Sequence, residues 1–364
     1  FLFLANLQNI RRRIRSVKSI QKITNAMDMI ARSRFNAARD TLLSNIPYVE
    51  KTRDIIKRIM SQMPPDEESP FVMSRQELIN AQTRTDGKFL FVVIAADKGL
   101  AGAYSSNIFK EAHATIEYDG TSPEESDADK EESFHKKNFD AVKMAKGIDG
   151  DQLKAQKSLT RAGAHRHANN TQNISVAQDT HDADYVDDIE IITVGRKATS
   201  HFKQRGYKII KSYHGISERP NYQYAKEIAD LIIERFLSGE IIDVTMVYTR
   251  FNSAISCTPE DVTLLPLVTD DYKRTTNSKE EYIYEPDVVT VLNDFLPRRI
   301  ATRIYGAMLH SAASELSSRM NAMSNATDNA QELVGKLNLY YNKVRQAGIT
   351  NEINEIVGGA NALE

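Results

Sequence analysis

Near the C-terminus, small or apolar residues recur at alternating steps of four and three: Leu309, Ala313, Leu316, Met320, Met323, Thr327, Ala330, Val334, Leu337, Tyr341 and Val344. A heptad seam of this kind winds helices left-handedly around a partner. No proline falls between Arg298 and Glu364, so the last 65 or so residues read as one helix. At 1.5 Å per residue it is roughly 90 Å long, well beyond the width of a compact domain. A rod of that length spans something or transmits something. The seam slips by one residue near Gly348 and resumes at Ile349, Ile353, Ile356 and Ala360, so the tip is expected to face a different environment from the shaft.

The first 60 residues mirror this pattern. Ile10, Ile14 and Val17 give one stripe, and Ile20, Ile23, Met27 and Ile30 continue it after a one-residue shift. Over residues 1–60, Lys and Arg number 13 and Asp and Glu 4, a net of about +9. Arg11, Arg12, Arg13, Arg15, Lys18 and Lys22 form a basic track along it. Pro47 is expected to kink or end the helix, since it removes a backbone donor and clashes with the preceding turn. Two terminal helices with the whole middle of the chain between them can pair antiparallel. The expected architecture is a shaft of two arms, 1–63 and 286–364, with a globular head between them.

The 364 residues suffice for one or two domains with a real core. A net charge of −2 does not favour binding to nucleic acid or to a membrane surface by bulk charge. The asymmetry matters more, because residues 117–190 carry 17 Asp and Glu against 9 Lys and Arg. One cysteine, Cys257, rules out a disulfide framework and a thiolate zinc site. It is read as a small, half-buried strand residue. The longest apolar run, Phe89 to Ala96, is far short of the roughly 20 residues of a bilayer span. A chain that opens on Phe1 instead of Met fits a removed presequence, as it also fits trimming.

Between the arms, an α/β domain is expected over 86–268. Lys88 to Ala96 reads as a strand buried on both faces. Further strands are expected at Ile189–Val194, Tyr207–Tyr213, Val244–Arg250 and Val262–Leu267, with helices at Arg196–Arg205 and Asn221–Leu237. Alternating strand and helix implies a small, largely parallel, Rossmann-like sheet, its last two strands pairing as an antiparallel edge. The polar stretch at about 118–184 reads as an acidic, partly disordered surface insert.

No catalytic constellation stands out. GLAGAYSSN (Gly99 to Asn107) follows a strand and opens a helix, where phosphate-cradling loops sit. Its spacing fits neither dinucleotide nor P-loop fingerprints, so a tight turn is the better reading. His165, His167 and His181 lack a helical i, i+4 pair and read as a solvated loop, not a metal site. No cofactor is implied. The basic first helix is a solvated face by default. As a nucleic-acid surface it lacks interleaved aromatics; as a track against acidic protein loops it makes sense only inside a partner.

IRRRIRSVKSIQKITNAMDMIARSRFNAARD (Ile10 to Asp40) resembles the N-terminal signature of the ATP synthase gamma subunit family. The stretch from Ser311 to Leu363 resembles that family's C-terminal signature, and AADKGLAGAYSSNI its first strand and turn. The resemblance implies an antiparallel coiled coil inserted into a hexamer of alpha and beta subunits, over a foot bound to the c-subunit ring and to delta and epsilon central-stalk subunits. It also implies a non-catalytic coupling role at the mitochondrial inner membrane, on the matrix side and with no membrane span of its own. By position in the motifs, Arg345, Gln346 and Thr350 match residues that touch a beta-subunit loop, and Met27 and Arg319 match shaft positions near the coupling region. The insert has no cysteine, unlike the regulatory insert of chloroplast members, so thiol gating is not expected. Two rival readings are a nucleotide-binding α/β enzyme with helical arms and a homodimeric coiled-coil scaffold.

Overall fold

The computed structural model describes residues 2–63, 69–74, 77, 87–119, 188–268 and 282–361. Beyond residues 118–119, the insert expected at 118–184 lies outside the described residues, as do the three histidines read as a solvated loop. The chain divides into two compact units, one of residues 1–115 and 186–364, the other of residues 116–185. In the second unit, the last turn of one helix is described.

In the first unit, α1 (Leu2–Gln62) and α5 (Val288–Asn361) form the arms. Arg11 stacks over the ring of Tyr341, Gln21 bonds to Gln331, Thr24 bonds to Thr327, and Leu42 packs with Leu309. Rising numbers on one helix meet falling numbers on the other, so the pair is antiparallel. The α5 seam is where the sequence puts it: Leu309, Ala313, Leu316, Met323, Ala330 and Val334 are all buried. Asp287 starts this helix, its carboxylate accepting from Thr290 N at 2.7 Å, the usual remedy for unpaired first-turn amides.

The α1 seam departs from expectation. It does not shift after Val17. Thr24, Asp28, Ala31, Phe35 and Leu42 are buried, whereas Ile20, Ile23 and Ile30 are 51%, 52% and 54% exposed. A one-residue step turns the contact face by about 100°, which a continuous helix cannot absorb. Ile10 and Ile14 at one end and Phe35 and Leu42 at the other fix the phase, and the positions between follow whatever their chemistry. Nor does Pro47 end the helix, which runs on to Gln62. Its lost hydrogen bond costs about 3 kcal/mol, and packing on both sides offsets it: Leu42 against Leu309 and Ala313 before it, Ile56, Ile59 and Met60 in the main core after it. Pro297 likewise lies inside α5 without ending it.

The head holds β2 (Lys88–Ile94), α2 (Tyr104–Asp119), β3 (Ile189–Val194), α3 (Arg196–Gln204), β4 (Lys208–Tyr213), α4 (Tyr222–Leu237), β5 (Ile241–Phe251) and β6 (Cys257–Leu265). The strand order is β4-β3-β2-β5-β6, parallel except for the antiparallel β6 edge. A two-residue pair of β1 (Val72–Met73) with β7 (Leu267–Val268) stands apart from it. After Lys88, β2 is buried along its whole length, as its unbroken apolar run predicts. The main core packs Leu90, Val92 and Ile94 of β2 with Ile228 and Ile232 of α4 and with Leu292, Leu296, Ile300 and Ile304 of α5. The lower parts of both arms thus belong to the head's own core.

Candidate functional site

From β2 the chain builds outward to β3 and β4 on one side, then returns to place β5 on the other. Strand order therefore reverses between β2 and β5, and open α/β sheets bind ligands in the crevice beyond the strand ends at such a point. Here α5 fills that position. Tyr104 OH donates to Ser311 O at 3.2 Å. Thr249 N donates to Ser311 Oγ at 3.4 Å, and Ser314 Oγ to Thr249 O at 3.3 Å. Ser317 Oγ and Asn321 Nδ2 both donate to Ala254 O, at 2.6 and 2.8 Å, in the loop between β5 and β6. Short side chains on this stretch of α5 let the helix approach the sheet, and their hydroxyls satisfy backbone groups at the strand end. The Gly99–Asn107 turn is thus part of a helix socket, in keeping with a structural turn.

The loops around the socket are tied to one another. Asp97, after β2, accepts from Arg196 N at 3.2 Å and from Ser217 N at 3.1 Å, while Asp97 N donates to Ser217 Oγ at 3.1 Å. Burial pushes the Asp97 carboxyl up, and these amide bonds outweigh it, leaving it below the usual range. Gly195 holds φ at +100° beside this knot. A Cβ there would lie 2.2 Å from Ala95 O, so only glycine fits. Leu100, with φ +65°, is 62% exposed in the same loop region.

Above the socket sits a charge cluster. Arg319 on α5 donates to Glu315 at 2.6 Å, to Glu218 at 3.2 Å and to Gly99 O at 3.5 Å. Glu218, in the loop after β4, also pairs with Lys98 at 3.2 Å and with Arg34 of α1. Burial raises the Glu218 carboxyl, but Lys98, Arg319 and Arg34 together hold it below its ordinary value. Glu315 is shifted the other way, because its burial outweighs the Arg319 contact.

Arg319, expected near the coupling region, therefore has its guanidinium engaged within the chain. Met27 is 37% exposed, beside the α1 seam. Arg11, Arg12, Arg13, Arg15, Lys18 and Lys22 are exposed, and none has an ion-pair partner among the described residues. Arg345, Gln346 and Thr350 are exposed near the tip, where the Thr350 hydroxyl donates to Gln346 O at 3.0 Å. Ile349, Ile353 and Ile356, expected to resume a seam, are 49%, 54% and 68% exposed. Glu218 was not singled out from the sequence, because no motif surrounds it; the i, i+4 spacing of Glu315 and Arg319 on a helical run was the legible signal.

Elsewhere, His113 of α2 and His201 of α3 bring their Nε2 atoms within 3.0 Å, and Arg205 reaches His201 Nδ1 at 3.0 Å. No cluster of three or more His, Cys, Asp or Glu suited to a metal exists among the described residues. Cys257 opens β6 half-buried, and burial pushes its thiol up. No described helix is long and apolar enough to cross a membrane.

A family profile described as ATP synthase matches residues 6–139 and 163–363. The ATP synthase gamma chain of Halothermothrix orenii is 34% identical over 99% of this chain and 100% of its own length. That of Moorella thermoacetica is 32% identical with the same coverage. Among solved structures, the Euglena gracilis mitochondrial ATP synthase OSCP/F1/c-ring has a chain that aligns with a TM-score of 0.55 at 16% identity, covering 99% of this chain and 95% of that one. This likeness concerns the fold alone. The relatives in sequence are bacterial, which overturns the mitochondrial inner-membrane location expected from the resemblance. Matched from end to end by such relatives, the chain belongs to the ATP synthase gamma chain family.

Proposed function

We propose that the chain is the central rotor shaft of a rotary ATP synthase. It passes rotation of a c-subunit ring to a hexamer of three alpha and three beta subunits, where the chemistry takes place. The foot would rest on the ring, with delta and epsilon subunits beside it. One observation carries this reading: α1 is apolar on its outer face where its own seam positions are polar. Ile20, Ile23, Met27 and Ile30 line an exposed face of α1, while Gln21, Thr24 and Asp28 occupy the seam beside it. A rod in open water gains nothing from that arrangement. Contiguous exposed apolar surface marks contact with another protein, and a shaft lying in a sleeve meets that condition. The exposed cations from Arg11 to Lys22 suit acidic loops in such a sleeve, attracting them over distance in every orientation.

Both rivals fit less well. A nucleotide-binding enzyme needs the crevice that α5 occupies. A homodimeric scaffold needs its arms free for a second copy, whereas α1 and α5 are already paired within one chain.

The test is reassembly with alpha, beta and ring subunits in vesicles. ATP-driven proton uptake should require the chain. Ile23→Ser with Ile30→Ser should slow ATP turnover severalfold while the isolated chain melts unchanged, since both side chains already face solvent. At the tip, Arg345→Ala or Gln346→Ala should lower turnover with assembly intact, through lost charge-assisted or neutral hydrogen bonds to a beta-subunit loop. Unchanged turnover in all of these variants would sink the sleeve reading.

A further inference from the structure

Glu218 is where three separate parts of the chain converge. Arg34 reaches it from α1, Arg319 from α5 at 3.2 Å, and Lys98 from the loop after β2 at 3.2 Å. Its carboxylate side chain is 14% exposed, yet it is held ionised by those cations. The location is as telling as the chemistry. Among the described residues, no polar contact joins the head to α1 closer to its N-terminus than Arg34, and none joins the head to α5 beyond Asn321. Past this level, the described polar contacts that leave either helix go to the other helix, as between Thr24 and Thr327.

Building on the rotor reading, we propose that Glu218 is a positioning residue that clamps both shaft helices to the head at the neck, so that head and helices turn as one. Packing of α1 and α5 in the main core fixes their lower parts, but apolar contacts are non-directional and let helices slide or roll. A carboxylate bonded to both helices and to its own loop system resists that roll. Asp97 backs it by bonding the loop that carries Lys98 to the one that carries Glu218. Without the Glu218 charge, Arg34 and Lys98 would lose their shared carboxylate and Arg319 would keep only Glu315 and the Gly99 carbonyl, so the bond that ties α1 and α5 to the head at one point would be gone.

The experiment measures protons pumped per ATP hydrolysed by the reassembled complex in vesicles. Glu218→Gln should lower that ratio about fivefold, the factor that roughly 1 kcal/mol is worth, while hydrolysis continues. Arg34→Gln alters only a half-exposed side chain on α1, so it should fold and lower the ratio as well. In a double-mutant cycle, Arg34→Gln with Glu218→Gln should do no more harm than the worse single change, because both remove one clamp. A ratio unchanged by Glu218→Gln, with only the yield of complex reduced, would make the cluster a stability element and overturn the proposal. Losses that multiply in the cycle would overturn it too. If the wild-type complex itself failed to couple hydrolysis to pumping, the rotor reading would fail instead.

Discussion

Thr24 and Thr327 meet hydroxyl to hydroxyl at 2.7 Å across the seam between α1 and α5. Each also has a carbonyl on its own helix within reach, Gln21 O at 3.1 Å for Thr24 and Met323 O at 2.9 Å for Thr327. Removing one hydroxyl leaves the other with that local carbonyl alone and with part of its hydrogen-bonding capacity unmet in a part-buried seam. Thr24→Val or Thr327→Val alone should cost about 0.5–1.5 kcal/mol, and the double change should be near neutral, since replacing both partners leaves no unmet polar group. Urea melts of the two single variants and the double one provide the cycle. A double variant that lost the full sum of both single costs would show that the hydroxyls act independently.

Glu190 on β3 has no exposed side-chain surface and is bonded to Lys208 at 2.7 Å, to Lys88 at 3.3 Å and to Arg235. Burial alone would raise its carboxyl; the bonds from Arg235, Lys208 and Lys88 overcome this and take it down to about 2. Removing it costs Arg235 one of its two carboxylates, Glu240 being the other, while the Lys88 and Lys208 ammonium groups stay within reach of water, so Glu190→Ala should destabilise the chain by about 1–3 kcal/mol at neutral pH. The sign of the pH dependence follows from the lowered value. Unfolded Glu190 takes up a proton first, so its contribution is complete above about pH 4.5 and is lost as pH falls towards 2. Melts of wild type and variant should converge at the acid end.

Two histidines act at milder acidity. Burial, with Arg205 and His113 nearby, lowers His201 to about 4; burial and Arg250 lower His310 to about 4. Both stay neutral in the fold, while the unfolded chain protonates them below about pH 6.5. Stability should therefore be full above that pH and fall as pH drops towards 4, on the order of 1–3 kcal/mol for His310 after allowing for solvent screening. Phe251 N donates to His310 Nδ1 at 3.3 Å, so His310→Asn offers a similar acceptor without the titration. Its stability profile, followed by circular dichroism, should be flatter between pH 6.5 and 4.

Two apolar residues of the shaft should answer truncation in opposite ways. Leu316 is 1% exposed in the seam and Ile20 is 51% exposed outside it. Leu316→Ala should cost about 2–5 kcal/mol, and Ile20→Ala should stay within about 0.5 kcal/mol in the isolated chain. Thermal melts compare them directly; equal costs would mean that Ile20 is covered by its own chain.

Those two residues also show what the sequence makes legible. Leu316 lies in a run where burial and periodicity agree, and the same holds for the apolar run of β2 and the antiparallel β5–β6 edge. Ile20 lies where they disagree. Hydrophobicity marks Ile20, Ile23, Met27 and Ile30, but helix geometry assigns the seam to Gln21, Thr24 and Asp28. Single-chain patterning assumes that apolar residues face their own partner helix, and that assumption breaks down where the two ends of a continuous helix fix the phase of the contact face between them. Long-range charge contacts were equally hidden: Glu218 and Arg34 are distant in sequence and meet only because antiparallel pairing brings α1 alongside the α5 residues at the head.

The pairing of the first helix with the last also has a consequence for synthesis. Gln62 ends α1, and α5 does not begin until Val288. At roughly 5–20 residues per second on the ribosome, α1 waits on the order of tens of seconds for its partner. Throughout that time Ile10, Ile14, Phe35 and Leu42 have nothing native to pack against, while the outer isoleucines stay bare as well. The nascent chain therefore carries a long, positively charged, half-apolar helix with no finished home, open to whichever cellular factor reaches it first.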